Sequence, residues 1–208
     1  MKKLLGDRWE VLEGLVSGRE ALDLGCVDHE AINEEGKHWL HRKIKEIAKI
    51  TVGVDYASEE VSKLKAKGYD VILDNVETLD LKKQFDVVVA GNIIEHLSNP
   101  GLFLETVKRH LKDNGQFILT TDNCYGLRSL KAITLFDRIR PNQEHAMAFE
   151  EEVLKQLLRR HQFKIQDVYY YNGPYPNPLK KWLIDSLCRL RKSWAWQMLV
   201  VSQKAKEA

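Results

Sequence analysis

Three acids each close a short apolar run: Asp23 in Ala21-Leu22-Asp23-Leu24-Gly25-Cys26, Asp55 in Gly53-Val54-Asp55 and Asp74 in Leu73-Asp74-Asn75. A fourth run ends in Ala90-Gly91-Asn92. An ionised carboxylate only accepts hydrogen bonds. An acid after the second run therefore suits two ribose hydroxyls, and one after the third suits an exocyclic amine. Together they describe an adenosine. Taken singly, Asp55 and Asp74 read better as cap or turn residues, and it is their joint placement that reverses this in favour of a ligand. Two histidines, His96 in Glu95-His96-Leu97 and His145 in Pro141-Asn142-Gln143-Glu144-His145, are candidate general bases. An imidazole titrates near neutrality and can take the proton of a hydroxyl acceptor. His96 reads alternatively as a helix residue packed beside the sheet. Glu95 either orients a histidine or binds substrate, or is an exposed first-turn acid. His29, His38 and His41 have spacing that could serve a metal, since His38 and His41 share a helix face. Surface or packed histidines account for them equally, and no metal is expected.

The elements that must position these residues alternate. Strand patterns fall at Glu20 to Leu24, Ile50 to Asp55, Tyr69 to Asp74, Phe85 to Ala90, Gln116 to Thr121, Ile165 to Tyr171 and Trp196 to Ser202. Helix patterns lie between them. Val87, Val88 and Val89 are apolar without alternation, as expected of a central parallel strand covered on both faces. Asn99-Pro100 is a cap and first-turn pair; Phe103, Val107 and Leu111 follow at helical spacing, and Asp113-Asn114-Gly115 closes that helix. A further helix spans about Glu150 to His161, with Val153, Leu154, Leu157 and Leu158 on one stripe. The expectation is an α/β fold with a seven-stranded, mostly parallel sheet, right-handed crossovers, helices on both faces and the last strand antiparallel. In such a sheet, ligands sit beyond the carboxyl ends of the strands, where all the acids above fall.

On these motifs the chain resembles the class I, Rossmann-like S-adenosylmethionine-dependent methyltransferases, in particular the small-molecule branch of ubiquinone and sugar O-methyltransferases. The resemblance runs from Ala21 to Ile165. Ala21 to Cys26 is similar to the first motif, Val54-Asp55 to the ribose-binding acid, Leu73 to Glu77 to the adenine-binding turn, and Phe85 through Leu97 to the fourth-strand motif. The resemblance implies S-adenosylmethionine as cofactor. It places Asp23, Gly25 and Cys26 at the methionine end, Asp55 on the ribose, Tyr56 over the adenine face, Asp74 with Asn75 and Val76 at the adenine, and Gly91 and Asn92 beside the sulfonium. It also implies acceptor-binding residues after the fifth strand, where His145 lies.

The first motif departs from that pattern, because Cys26-Val27-Asp28-His29 lacks two glycines. Glycine admits positive φ and close approach of backbone to ligand, whereas β-branched Val27 does not. Gly25 and Asp55 are also further apart than the ~20 residues usual between a glycine turn and its ribose acid. This points to an insertion around Ile32 to Arg42 that forms a lip with His29. A degenerate, non-catalytic cofactor-binding module is the alternative function. A nicotinamide oxidoreductase is disfavoured, because only the first glycine of GxGxxG is present.

The 208 residues suit a single domain, with cap insertions at about 123–148 and 172–195. The amphipathic stretch Leu127 to Phe136 reads as a cap over the acceptor pocket. Lys180 to Lys192 carries five cations against Asp185, beside Trp182, Leu183 and Leu187. That segment packs on its own domain or a partner, or makes peripheral membrane contact through 178–196. Charge is balanced, 32 basic against 30 acidic residues, and no Asn/Asp-Pro-Pro-aromatic run follows the fourth strand, so no nucleic acid is expected. The expected acceptor is a small molecule or glycan, at a hydroxyl. Three scattered cysteines and an N-terminus whose apolar start is broken by Gly6, Asp7 and Arg8 point to a cytoplasmic protein.

Overall fold

The structure is a computed structural model describing residues 3–27, 39–136, 143–173 and 177–205. The strands are β1 (Lys3–Leu5), β2 (Glu20–Leu24), β3 (Ile50–Asp55), β4 (Val71–Leu73), β5 (Phe85–Gly91), β6 (Leu111–Asp122), β7 (Phe163–Tyr171) and β8 (Gln197–Lys204). They are joined by helices α1 (Trp9–Val16), α2 (Leu40–Ile47), α3 (Ser58–Ala66), α4 (Pro100–His110), α5 (Leu127–Phe136), α6 (Glu151–Arg160) and α7 (Pro178–Leu190). The eight strands form one sheet in the order β1-β7-β8-β6-β5-β2-β3-β4. Only β8 runs against its neighbours, β6 and β7. The chain moves outward one way through β3 and β4 and the other way through β6, so the switch point lies between β2 and β5.

The valine run explains itself in this setting. Val88 packs with Leu22, Leu24 and the α4 residues Phe103, Leu104 and Val107 on one face. Val87 and Val89 pack with Ala21, Leu12, Val16 and Ile44 on the other, under α1 and α2. Both faces of β5 are covered, so neither parity can be polar. The same alternation directs Asp23 to the face of Ala21, toward α2.

Helix ends follow the caps. Asn99 Oδ1 accepts the Leu102 N–H at 3.0 Å, with Pro100 behind it in the first turn. Glu150 accepts the Val153 N–H at 2.8 Å to open α6.

The structure adds to the sequence expectation at one edge of the sheet and differs from it at the end of α4. The eighth strand is β1, which pairs in parallel with Tyr169 to Tyr171. Its Leu4 and Leu5 join opposite core clusters, the period-2 pattern of a strand too short to stand out. Asp113-Asn114-Gly115 does not close α4. The helix stops at His110, and fully buried Leu111 already pairs with Phe85, with the register shift that follows absorbed between Phe85 and Val87. Of the lip expected at Ile32 to Arg42, residues 32–38 lie outside the described residues, while Trp39 to Arg42 form the start of α2, with Trp39 and Leu40 lining the cleft. Asp28, His29 and His38 lie outside the described residues.

Candidate active site

A cleft of about 510 Å³ opens over the carboxyl ends of β2 and β5. Asp23, Gly25, Cys26, Gly91 and Asn92, all singled out above, line it, with Val27, Trp39, Leu40 and Lys43 beside them. Gly25 has φ +77°, and a Cβ there would lie 2.5 Å from the Ile93 side chain, so the turn after β2 admits only glycine. At the end of β5, Asn92 takes φ 52°, a conformation asparagine tolerates better than most residues. Its N–H donates to the Thr120 carbonyl at 3.0 Å. Its side-chain oxygen accepts the Thr120 hydroxyl at 2.9 Å, and its Nδ2 donates to Glu95 Oε1 at 3.2 Å. A Cβ on Gly91 would come 2.7 Å from the end of the Leu40 side chain, so a larger residue at this strand end would push Leu40 aside.

Asp23 is buried. Its Oδ2 lies 2.9 Å from His41 Nδ1, and among the described residues neither its Oδ1 nor His41 Nε2 has a hydrogen-bond partner. Asp55, 7% exposed, accepts the Val27 N–H on Oδ2 at 2.9 Å and the Ala57 N–H on Oδ1 at 3.1 Å. Each of its oxygens keeps a further lone-pair direction. After Gly25, Val27 is thus tied by its N–H to Asp55 and does not take a positive φ. Asp74 is exposed and accepts the Asn75 N–H; its own N–H donates to the Asp55 carbonyl at 3.1 Å. Tyr56 stands 80% exposed next to Asp55, and Val76 is buried. Asp55, Tyr56, Asp74, Asn75 and Val76 lie off the cleft lining, along the ends of β3 and β4. Burial pushes the Cys26 thiol well up, with the Asp23 and Asp55 charges adding to it, so Cys26 packs as a neutral thiol.

The two histidines come together. A 3-10 turn at Ile94–His96 follows β5, and the Glu95 carbonyl accepts the N–H groups of Ala146 and Met147 at 2.8 and 3.1 Å. This strap sets the His145 ring edge-on to His96, with centroids 4.6 Å apart. Burial, with His145 nearby, lowers the pKa of His96, so it is neutral near pH 7 and able to accept a proton. Glu95 is 2% exposed, and desolvation raises its carboxyl to about 7 against the stabilising bonds from Thr121 and Asn92. Glu95, His96 and His145 each offer one ligand atom, all within 4.8 Å of one another. The sequence names all three but does not bring them together, because His145 is reached through a long, irregular connection.

Other cleft residues carry no sequence signal of their own. Arg8 and Trp9 come from the start of α1, Tyr171, Asn172 and Gly173 from the end of β7, and Lys181, Trp196 and Gln197 from α7 and the start of β8. Their common feature is position at the carboxyl edge of the sheet, which only strand order reveals. Asn172 ties this wall together: Oδ1 accepts the Trp196 N–H at 3.0 Å and Nδ2 donates to Asp185 at 2.8 Å.

Residues 2–168 match a methyltransferase domain. The chain belongs to that family. It carries the class I S-adenosylmethionine-dependent methyltransferase fold. It is 28% identical over 177 residues to the mitochondrial ubiquinone biosynthesis O-methyltransferase of Schizosaccharomyces pombe, covering 81% of this chain and 63% of that protein. It is 28% identical over 114 residues to the ubiquinone biosynthesis O-methyltransferase of Bradyrhizobium diazoefficiens, covering 52% and 42%. The chain thus spans about two fifths to two thirds of the length of these relatives. The solved S-adenosylmethionine-dependent methyltransferase from Mesorhizobium loti superposes with a TM-score of 0.62 over 94% of this chain and 97% of that one, at 17% identity. No helix among the described residues is long and apolar enough to cross a membrane.

Proposed function

We propose that this methyltransferase domain moves the methyl group of S-adenosylmethionine to a small-molecule acceptor, at a hydroxyl. The observation that carries the reading is the cleft at the switch point, lined by Asp23, Gly25, Gly91 and Asn92. Its unsatisfied Asp23 Oδ1 and its glycine-only turn suit an elongated ligand with a cationic end. In this reading Asp23, Gly25 and Cys26 hold the methionine end, and Asp55 takes the ribose hydroxyls on its free lone pairs. Asp74 and the Asn75–Val76 backbone meet the adenine under Tyr56, and Gly91 and Asn92 border the sulfonium.

The cofactor, when bound, supplies a methyl already activated on a sulfonium. The protein's part is to hold the acceptor in line and remove its proton. His96, neutral and paired with His145, is placed for that removal, and His145 is the residue through which the strap after β6 reaches it. The close approach of Glu95, His96 and His145 favours a second reading of the same cluster, in which a divalent cation bound there lowers the acceptor hydroxyl's pKa.

Calorimetry with S-adenosylmethionine, S-adenosylhomocysteine and NAD tests the cofactor. Both sulfur ligands bind and NAD does not; binding of neither sulfur ligand sinks the proposal. Turnover to S-adenosylhomocysteine with phenolic, catechol and sugar acceptors separates an enzyme from a non-catalytic module. Turnover lost in chelator and restored by Mg²⁺, Mn²⁺ or Zn²⁺ assigns the cluster to a cation, whereas undiminished turnover leaves the imidazoles as bases. Leu179, Trp182 and Leu183 are exposed on α7 among its lysines, a face suited to peripheral contact with an anionic membrane. Vesicle flotation checks it.

A further inference from the structure

The sequence after Gly25 lacks two glycines, and among the described residues the start of α2 packs against the end of β2 with side chains. Leu40, His41 and Ile44 are the buried stripe of α2. A polar residue on such a stripe needs a partner, and Asp23, turned to the same face of β2, is that partner at 2.9 Å. Both side chains are at most 2% exposed. Two residues earlier, Trp39 Nε1 donates to the Cys26 carbonyl at 2.8 Å. The start of α2 is thus fastened to the β2 turn at two points. Room for the imidazole comes from Gly53 on β3, where a Cβ would lie 2.7 Å from both His41 Cε1 and Cys26 Sγ.

The pair is incomplete by itself. Asp23 Oδ1 is buried without a donor among the described residues, and Asp23 is the member of the pair that lines the cleft. Whether the imidazole holds one proton or two, that oxygen remains an acceptor with nothing to accept from, a costly state for a carboxylate. We infer that His41 is a positioning residue for the cofactor: it holds the Asp23 carboxylate in the rotamer that presents Oδ1 to the α-ammonium at the methionine end, beside a sequence that lacks two glycines. The inference rests on the S-adenosylmethionine reading above.

Two ligands separate this role from general support of the fold. S-adenosylhomocysteine carries the amino-acid end; 5′-methylthioadenosine has the adenosine and thioether without it. In calorimetry, His41→Leu weakens S-adenosylhomocysteine at least tenfold and changes methylthioadenosine by less than twofold. His41→Asn, whose side-chain amide supplies a donor near the position of Nδ1, recovers most of the loss. His41→Gln keeps a polar side chain on the stripe but moves its amide away from the position of Nδ1, so it gives the same selective loss and carries the test if His41→Leu does not fold. Equal weakening of both ligands, or no change in either, overturns the inference. Failure of the unaltered protein to bind S-adenosylhomocysteine overturns the cofactor reading beneath it, a result distinct from any effect of the variants.

Discussion

The junction of β2 with α2 and the pair of helices α5 and α7 sit at the same edge of the sheet and are built in opposite ways. At the junction Asp23, Cys26, Trp39, Leu40, His41 and Ile44 are all buried, and each polar side chain among them has a named partner on at least one atom. No residue of α5 is buried, and Ile133, Leu135 and Phe136 are 44 to 61% exposed. On α7, Leu179, Trp182 and Leu190 are exposed at 63 to 80%. Binding geometry that must not change is set in strand ends and their covering helix, where packing and hydrogen bonds determine each rotamer. On the proposed reading, the surface that meets an acceptor or a partner is carried on α5 and α7, where Leu135, Leu179 and Trp182 face solvent.

The contrast can be broken most sharply at Gly25. Gly25→Val forces a β-branched residue to positive φ and into Ile93, so it costs about 4 kcal/mol and abolishes cofactor binding, as read by urea unfolding and calorimetry. Glu95 stands between the two regions, and its raised carboxyl gives a pH signature. Its proton is held to about pH 7 in the folded protein but leaves near 4.5 in the unfolded chain. Stability therefore falls as pH rises through that window, by ~3 kcal/mol, and is level above it. Glu95→Gln mimics the protonated form, since the Thr121 hydroxyl can turn to accept, and this component vanishes from unfolding curves taken between pH 4 and 8 with chelator present. An unaltered pH slope would falsify the assignment. Asp55→Ala removes charge-assisted ribose bonds and the Val27 anchor, weakening S-adenosylhomocysteine by about 2 kcal/mol. At the other extreme, Phe136→Ser and Trp182→Ser change stability by about 0.5 kcal/mol or less and leave cofactor affinity alone. Any effect of these two belongs in the KM of the acceptor. A large loss of stability in either would show that these helices are core elements, and the contrast would fail.

The layout of the sheet was legible because parallel strands between helices leave strong marks: the valine run, Asn99-Pro100, and an acid or small polar residue at each strand end. The antiparallel return of β8 was legible from the break in rhythm after β7. The extra edge strand was not, since three residues are too few for periodicity to register. The Asp113-Asn114-Gly115 turn misled because turn residues also serve at a bulge, and what decides between the two is whether Leu111 joins the core. In the site, Asp23, Gly25, Gly91 and Asn92 were visible as strand termini. His41 was visible only as one of several histidines. The signal that singles it out is a polar residue on the buried stripe of α2 facing an acid on the same face of β2. The wall made by Arg8, Trp9, Tyr171 and Trp196 could not be read, because those residues meet only after the strand order β1-β7-β8 is known.

That wall rests on the short ladder of β1. Lys3 to Leu5 hold one edge of the sheet by three parallel pairings with β7, and the residues that follow, Gly6 to Trp9, line the cleft beside Tyr171 to Gly173. So short a parallel ladder belongs to the part of a structure that opens first. Peeling of this strand would widen the cleft without disturbing β2 or β5, so one side of the site is hinged on one of the two shortest pairings in the sheet. Amide hydrogen exchange at Leu4 and Leu5 should accordingly be fast in the free protein and slow when a ligand bridges the two walls, which makes the first few residues a built-in reporter of occupancy.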